Sequence, residues 1–161
     1  MNLHFYIFIG DHNLCGIAAV LSKVGGCWRI LLRMLMILKH RGPDGSGAVV
    51  DGKCFVDDLP GPNELDGFVG IGHNRLAIVG RGYQPIPNED ESLWIVHNGT
   101  IYNHEYLRSI LKSRGHIFRT DMDSEVILHA HEEGMTSSLD GDYAFIIYDV
   151  DASRLIAYRD P

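Results

Sequence analysis

Lysine and arginine are scarce in this chain, and so is cysteine. Fourteen basic residues stand against twenty-one acidic ones, for a net charge of -7. The basic residues form no stripe able to displace counterions from a phosphate backbone, which argues against a nucleic-acid partner. Three cysteines, Cys15, Cys27 and Cys54, are an odd number at irregular spacing. They make no disulfide framework and point to free thiols in a reducing, cytoplasmic setting. Long hydrophobic runs are missing too: the apolar opening at residues 3–9 is far shorter than the ~20 residues that span a bilayer, and no basic residue precedes it. Neither a membrane partner nor a signal peptide is expected. Repeats and low-complexity tracts are absent.

What remains is a chain of 161 residues, 45% of them hydrophobic. A chain of this length buries roughly 70% of its unfolded surface, enough for one domain with its own core. Residues 15–21 (CGIAAVL) are small and apolar and predict a buried strand, broken by Gly25-Gly26. Ile30, Leu31, Met34, Leu35 and Leu38 recur at helical spacing within 27–40, before the stop Arg41-Gly42-Pro43. Strands are expected at 47–50, 53–56, 68–73, 76–79 and 93–97, with a surface loop over 80–92. The period then changes, predicting one helix from about Ile101 to Gly115 and a second ending at Gly134. A hairpin of 143–150 and 155–158 follows, turning at Asp151-Ala152-Ser153. Strands at both ends with helices between them suit an α+β layered domain.

Four local patterns carry no function. His129 and His131 are two apart, so on a helix they face roughly opposite sides, and no metal site is expected. Asp149, Asp151 and Ser153 resemble the start of a calcium loop, but Arg154 stands where that loop requires Gly. Gly67, Gly70 and Gly72 miss the dinucleotide spacing. Asn98-Gly99-Thr100 is a glycosylation sequon that a cytoplasmic chain would not use.

Cys15 opens the first strand. A thiol with an ordinary pKa near ~8.5 is mostly protonated at neutral pH and needs a base to attack an amide. That base is either a histidine or, when the cysteine is residue one, its own α-amine, with a reference pKa near ~7.7. By itself, a lone cysteine is more often a small buried hydrophobe.

Six motifs in order carry a more specific message: CGIA at 15–18, KHRGPDGSG at 39–47, GHNRLAIV at 72–79, HNGTIYNH at 97–104, TDMDSEVI at 120–127 and GDYAF at 141–145. Together they resemble the glutaminase domain of class II glutamine amidotransferases, with Arg41-Gly42-Pro43-Asp44 favouring the asparagine synthetase branch. The resemblance implies an N-terminal-nucleophile hydrolase fold, a four-layer αββα sandwich with two antiparallel sheets. It implies that Cys15 attacks the side-chain amide of L-glutamine, that the Asn98 carboxamide and the Gly99 N–H form the oxyanion hole, and that Arg75 and Asp123 hold the substrate α-carboxylate and α-ammonium. Backbone groups of Ile78 and Val79 would line the pocket. No cofactor is implied for this domain; ATP and Mg belong to a synthetase domain or subunit, the implied partner, and a homo-oligomer stays open.

Each assignment has a plainer rival: Arg75 as a strand-end ion pair, Asn98-Gly99 as a type I′ turn, Asp123 as a helix N-cap. His73 and His97 are read as structural. The sequence also departs from the family. Fourteen residues precede Cys15, so loss of Met1 alone does not expose its amine. Residues 1–14 are read as a leader or non-native extension, and 15–161 as an amidotransferase domain cut short at its C-terminal end. Thr100 stands where asparagine synthetases usually carry Glu. Two alternatives follow: a silent glutamine-binding or assembly domain with a blocked nucleophile, and an internal Cys-His hydrolase using His73 or His97.

Overall fold

The computed structural model describes residues 15–76 and 82–160 in full, and residues 3–8 as backbone. Two antiparallel sheets organise the chain. The first has the order β1-β2-β5-β3-β4, from Leu3–Phe8, Gly16–Ser22, Val69–Arg75, Gly45–Val50 and Lys53–Val56. The second runs β6-β7-β8-β9, from Ile86–Pro87, Leu93–Ile101, Gly141–Asp149 and Arg154–Arg159. Three helices are described: α1 (Cys27–Leu38), α2 (His104–Ser113) and α3 (Asp123–Glu132).

The layering follows from side-chain alternation along the strands. Ile17, Ala19, Val49, Val69 and Ile71 of the first sheet bury against Trp94, Val96, Ala144, Ile146 and Tyr148 of the second, forming the seam between sheets. Their neighbours Ala18, Val20, Ala48 and Val50 point the other way, onto Trp28, Leu31, Leu35 and Leu38 of α1. On the far side, Ile95, Ile101, Phe145 and Ile147 pack against Ile127 and Leu128 of α3. Leu107 and Leu111 of α2 join Val126 and Ala130. Helix, sheet, sheet, helices: this is the αββα sandwich expected from the resemblance.

α1 lies close to its sheet because Gly70 and Gly72 face it. A Cβ on Gly72 would stand 2.9 Å from Leu35 Cδ1, and one on Gly70 3.0 Å from Leu31 Cδ2. Those glycines serve helix–sheet packing. Leu31 and Leu35 are almost fully buried, each worth about 2 kcal/mol by area.

Most sequence-based boundaries hold within a few residues; three differ in kind. Residues 3–8 form a strand paired antiparallel with β2, from Leu3 opposite Ser22 to Phe8 opposite Ile17. The loop over 80–92 contains β6. Leu76 is outside any strand, and the remainder of the strand expected at 76–79 lies outside the described residues. In the last hairpin, Asp149 Oδ1 accepts from Ala152 N at 2.9 Å and its Oδ2 from Arg154 at 3.0 Å, so the calcium-like residues belong to the turn.

Candidate active site

Parity places Cys15 on the seam side of β2, in step with Ile17 and Ala19. Its sulfur accepts from the Leu76 N–H at 3.3 Å, just past the end of β5. Arg75 ends that strand, on the seam side with Val69 and Ile71, and lies opposite Gly45 of β3. Its guanidinium carbon stands 5.7 Å from the Tyr83 ring centre, a cation–π distance.

Asn98 occupies the matching position on the second sheet, in step with Trp94 and Val96. Gly47, opposite His73 and two residues from Gly45 opposite Arg75, meets the backbone of Gln84, whose side chain bonds His97 next to Asn98, so these strand ends approach one another across the seam. Gln84 ties these ends across the sheets. Its Oε1 accepts from His97 N at 2.5 Å, and its Nε2 donates to His97 O at 3.1 Å and Ser124 Oγ at 3.2 Å. Its backbone oxygen rests against Gly47, where a Cβ would come within 2.0 Å.

Asn98 and Gly99 are inside β7, opposite Ala144 and Tyr143, which removes the type I′ turn reading. Gly99 has φ 136, and a Cβ there would meet Asp142 O at 2.1 Å, so the strand accepts only glycine at that point. Asn98 is 4% exposed and its Oδ1 has no hydrogen-bond partner. A buried acceptor oxygen left open in this way is suited to a hydrogen-bond donor on a ligand.

Asp123 is the first residue of α3, but Met122 holds the cap position without a side-chain cap bond. Asp123 Oδ2 instead accepts from the Ile101 N–H at 2.9 Å, fastening the start of α3 to the end of β7 two residues beyond Gly99. Ile78 and Val79 lie outside the described residues.

Two histidines flank this end. His73 is on the seam face; burial, with smaller contributions from His97 and Arg75, pushes its pKa down to about 3. His97 alternates with Asn98 and so faces the helical layer, with Nδ1 3.0 Å from Ser124 Oγ. Burial brings its pKa down to about 4 against the opposing pull of Asp123. Both rings are neutral at pH 7.

Sequence reasoning missed the residues that brace the site. Asn74 donates to Leu35 O at 2.6 Å and accepts from Ser46 Oγ at 2.8 Å, joining α1 to the segment around Gly45. Gln84 does the equivalent work between the sheets. Their signal is weak because a bracing amide looks like any polar loop residue until its partners, 28 and 39 residues away for Asn74, are known.

A cysteine at the mouth of the seam in an αββα sandwich defines the N-terminal-nucleophile hydrolase class. A glutamine amidotransferase domain model matches residues 14–161. The chain belongs to the glutamine amidotransferase domain family. It is 46% identical to a putative glutamine-hydrolysing asparagine synthetase 1 of Methanocaldococcus jannaschii, with 91% of this chain and 28% of that protein covered. It is 38% identical to a probable glutamine-hydrolysing asparagine synthetase of Dictyostelium discoideum, with 92% and 26% covered. The chain thus spans about a quarter of the length of these relatives. The B. subtilis glutamine phosphoribosylpyrophosphate amidotransferase, solved with ADP and GMP, superposes with a TM-score of 0.70 at 26% identity, over 92% of this chain and 37% of that one.

Proposed function

We propose that this domain hydrolyses L-glutamine and supplies the ammonia to an ATP-dependent asparagine synthetase-like domain or subunit in the cytoplasm. The Cys15 thiolate attacks the side-chain amide carbon, and its own freed α-amine accepts the thiol proton. The developing oxyanion is held by the Asn98 carboxamide N–H and the Gly99 backbone N–H, a donor pair of the kind worth about 3 kcal/mol per donor. Collapse expels ammonia as it takes up the proton, leaving a γ-glutamyl thioester; water then releases glutamate. Arg75 pairs with the substrate α-carboxylate and Asp123 with its α-ammonium. Ile78 and Val79 supply backbone groups to the pocket. The domain itself needs no cofactor; ATP and Mg act in the synthetase part. The observation that carries this reading is that the Cys15 sulfur meets the Leu76 N–H next to Arg75, while Gln84 ties His97, next to Asn98, to Gly47 on the same sheet as Cys15.

While the Leu14–Cys15 peptide bond is intact, the Cys15 nitrogen is an amide with no basic lone pair. The pairing of residues 3–8 with β2 favours a second reading, a blocked domain that binds glutamine without turning it over. One experiment separates them: intact mass under denaturing conditions, before and after exposure to an electrophilic glutamine analogue. A chain beginning at Cys15 and carrying one label supports the glutaminase. A chain beginning at Cys15 that takes no label and releases no glutamate rejects it. Retained residues 1–14 with no label support the blocked domain.

A further inference from the structure

Away from the candidate active site, three separated segments bring two histidines and two glutamates together. Glu89 lies between β6 and β7, His116 follows α2, and His129 and Glu132 sit three residues apart on α3. One ligand atom from each lies within 4.8 Å of all the others. His129 Nδ1 is 2.7 Å from Glu132 Oε2 and 3.6 Å from Glu89 Oε2. His116 Nδ1 is 3.1 Å from Glu89 Oε1 and 3.9 Å from Glu132 Oε2. Four ligands around zinc at ~2.0–2.1 Å form a tetrahedron with edges of roughly 3.4 Å, which falls inside this spread.

We propose that Glu89, His116, His129 and Glu132 form a binding site for one divalent first-row transition ion, zinc or a close chemical neighbour. The mixed nitrogen and oxygen set suits such an ion better than calcium, which takes oxygen ligands alone. Two carboxylates and two neutral imidazoles balance its charge. The surroundings give independent support, because ligating histidines and carboxylates are normally oriented by outer partners. His116 Nε2 is 3.3 Å from Glu133 Oε1. His129 is fully buried, and its Nε2, which has no hydrogen-bond partner, points towards Glu125 Oε1 at 3.7 Å. Glu89 Oε1 accepts from Ile117 N at 3.0 Å and Glu132 Oε1 from Asn88 Nδ2 at 2.9 Å. The side chains of Glu89 and Glu132 are 34% and 22% exposed, leaving a way in for the ion.

This site is structural and independent of the glutaminase reading. It clamps α3, whose first residue is Asp123, to the β6–β7 turn and to the segment after α2. Sequence inspection expects no metal because it considers only His129 with His131; the ligands come instead from positions 89, 116 and 132.

The test uses the full chain stripped with chelator and titrated calorimetrically with zinc alone, then with cobalt to read ligand geometry from its visible absorption. One equivalent is expected to bind, cobalt to give the intense bands of a four-coordinate site, and the thermal midpoint to rise. Glu89→Gln and His116→Ala are each expected to weaken zinc at least about tenfold, the scale on which even an outer partner matters. His131→Ala, outside the cluster, should bind as the parent does. Glu89 is exposed, so its variant keeps the test readable should His116→Ala fail to fold. Absence of zinc and cobalt binding overturns the site, and so does binding whose affinity survives both ligand substitutions.

Discussion

The two sides of the second sheet treat their buried polar groups in opposite ways. Towards the seam, atoms are left open: Asn98 Oδ1 and His73 Nε2 have no hydrogen-bond partners, and the His73 ring is held neutral. Under α3, the Nε2 atoms of His97 and His129 also lack hydrogen-bond partners and burial works against the charged form of His129, yet the carboxylates of Glu125, Glu132 and Glu89 outweigh it and bring the pKa up to about 9. An unpaired buried polar group costs about 1–3 kcal/mol. A fold tolerates that cost where a ligand supplies the missing partner, and elsewhere surrounds the group with charge. The contrast separates buried polar atoms kept among neutral neighbours from a buried imidazole surrounded by carboxylates.

Four changes would break or sharpen this contrast. The largest effect is expected from Cys15→Ala in a chain beginning at residue 15: glutamate release should fall to background while the unfolding midpoint stays put, since only the reacting sulfur is lost. Asn98→Ala should come next, lowering kcat by roughly 10²–10³ with little change in stability, because its oxygen already lacks a partner. If stability fell as much as activity did, the open carboxamide would be a structural element and the seam reading would fail. Gly99→Ala should cost about 3 kcal/mol in urea unfolding, from the positive φ and the close approach to Asp142 O.

The last change is made with pH, and over a single unit it is the smallest. His73 and His97 titrate near 6.5 when unfolded and at about 3 and about 4 when folded. Between those limits the unfolded chain binds more protons, so stability drops as pH falls below 6.5. The loss approaches about 1.4 kcal/mol per pH unit for each histidine. His97→Gln, followed by urea titration at several pH values, should flatten that slope; an unchanged slope would mean that the ring is not held neutral.

Much of this was legible in the sequence. The strand at 53–56 has the expected bounds, and α1 begins at the expected residue because Gly25-Gly26 marks its start and its apolar face repeats without interruption. The family motifs nominate Cys15, Arg75, Asn98 and Asp123 as the candidate site from the sequence alone. Strand parity then explains why three of these face the seam. What could not be read was anything assembled from distant short pieces. The carboxylate–histidine cluster draws on positions 89, 116, 129 and 132, and the Gln84 brace on 97 and 124; no periodicity connects them. Residues 3–8 were legible as apolar but not as a strand, because their role depends on a free edge of β2 that a one-dimensional pattern does not reveal.

That first strand changes what scission before Cys15 would mean. Six residues of β1 pair in register with β2, so cutting one peptide bond does not by itself detach the segment. The immediate product would be a two-piece protein in which the short piece keeps its ladder with β2, and native and denaturing masses would differ by its weight. Once that piece diffuses away, β2 becomes an uncovered edge with unpaired N–H and C=O groups, a template for another strand. Were scission to activate the domain, activation and exposure of an adhesive edge would be separate events, and the time between them would set how long the new amine is free before the domain could recruit a neighbour.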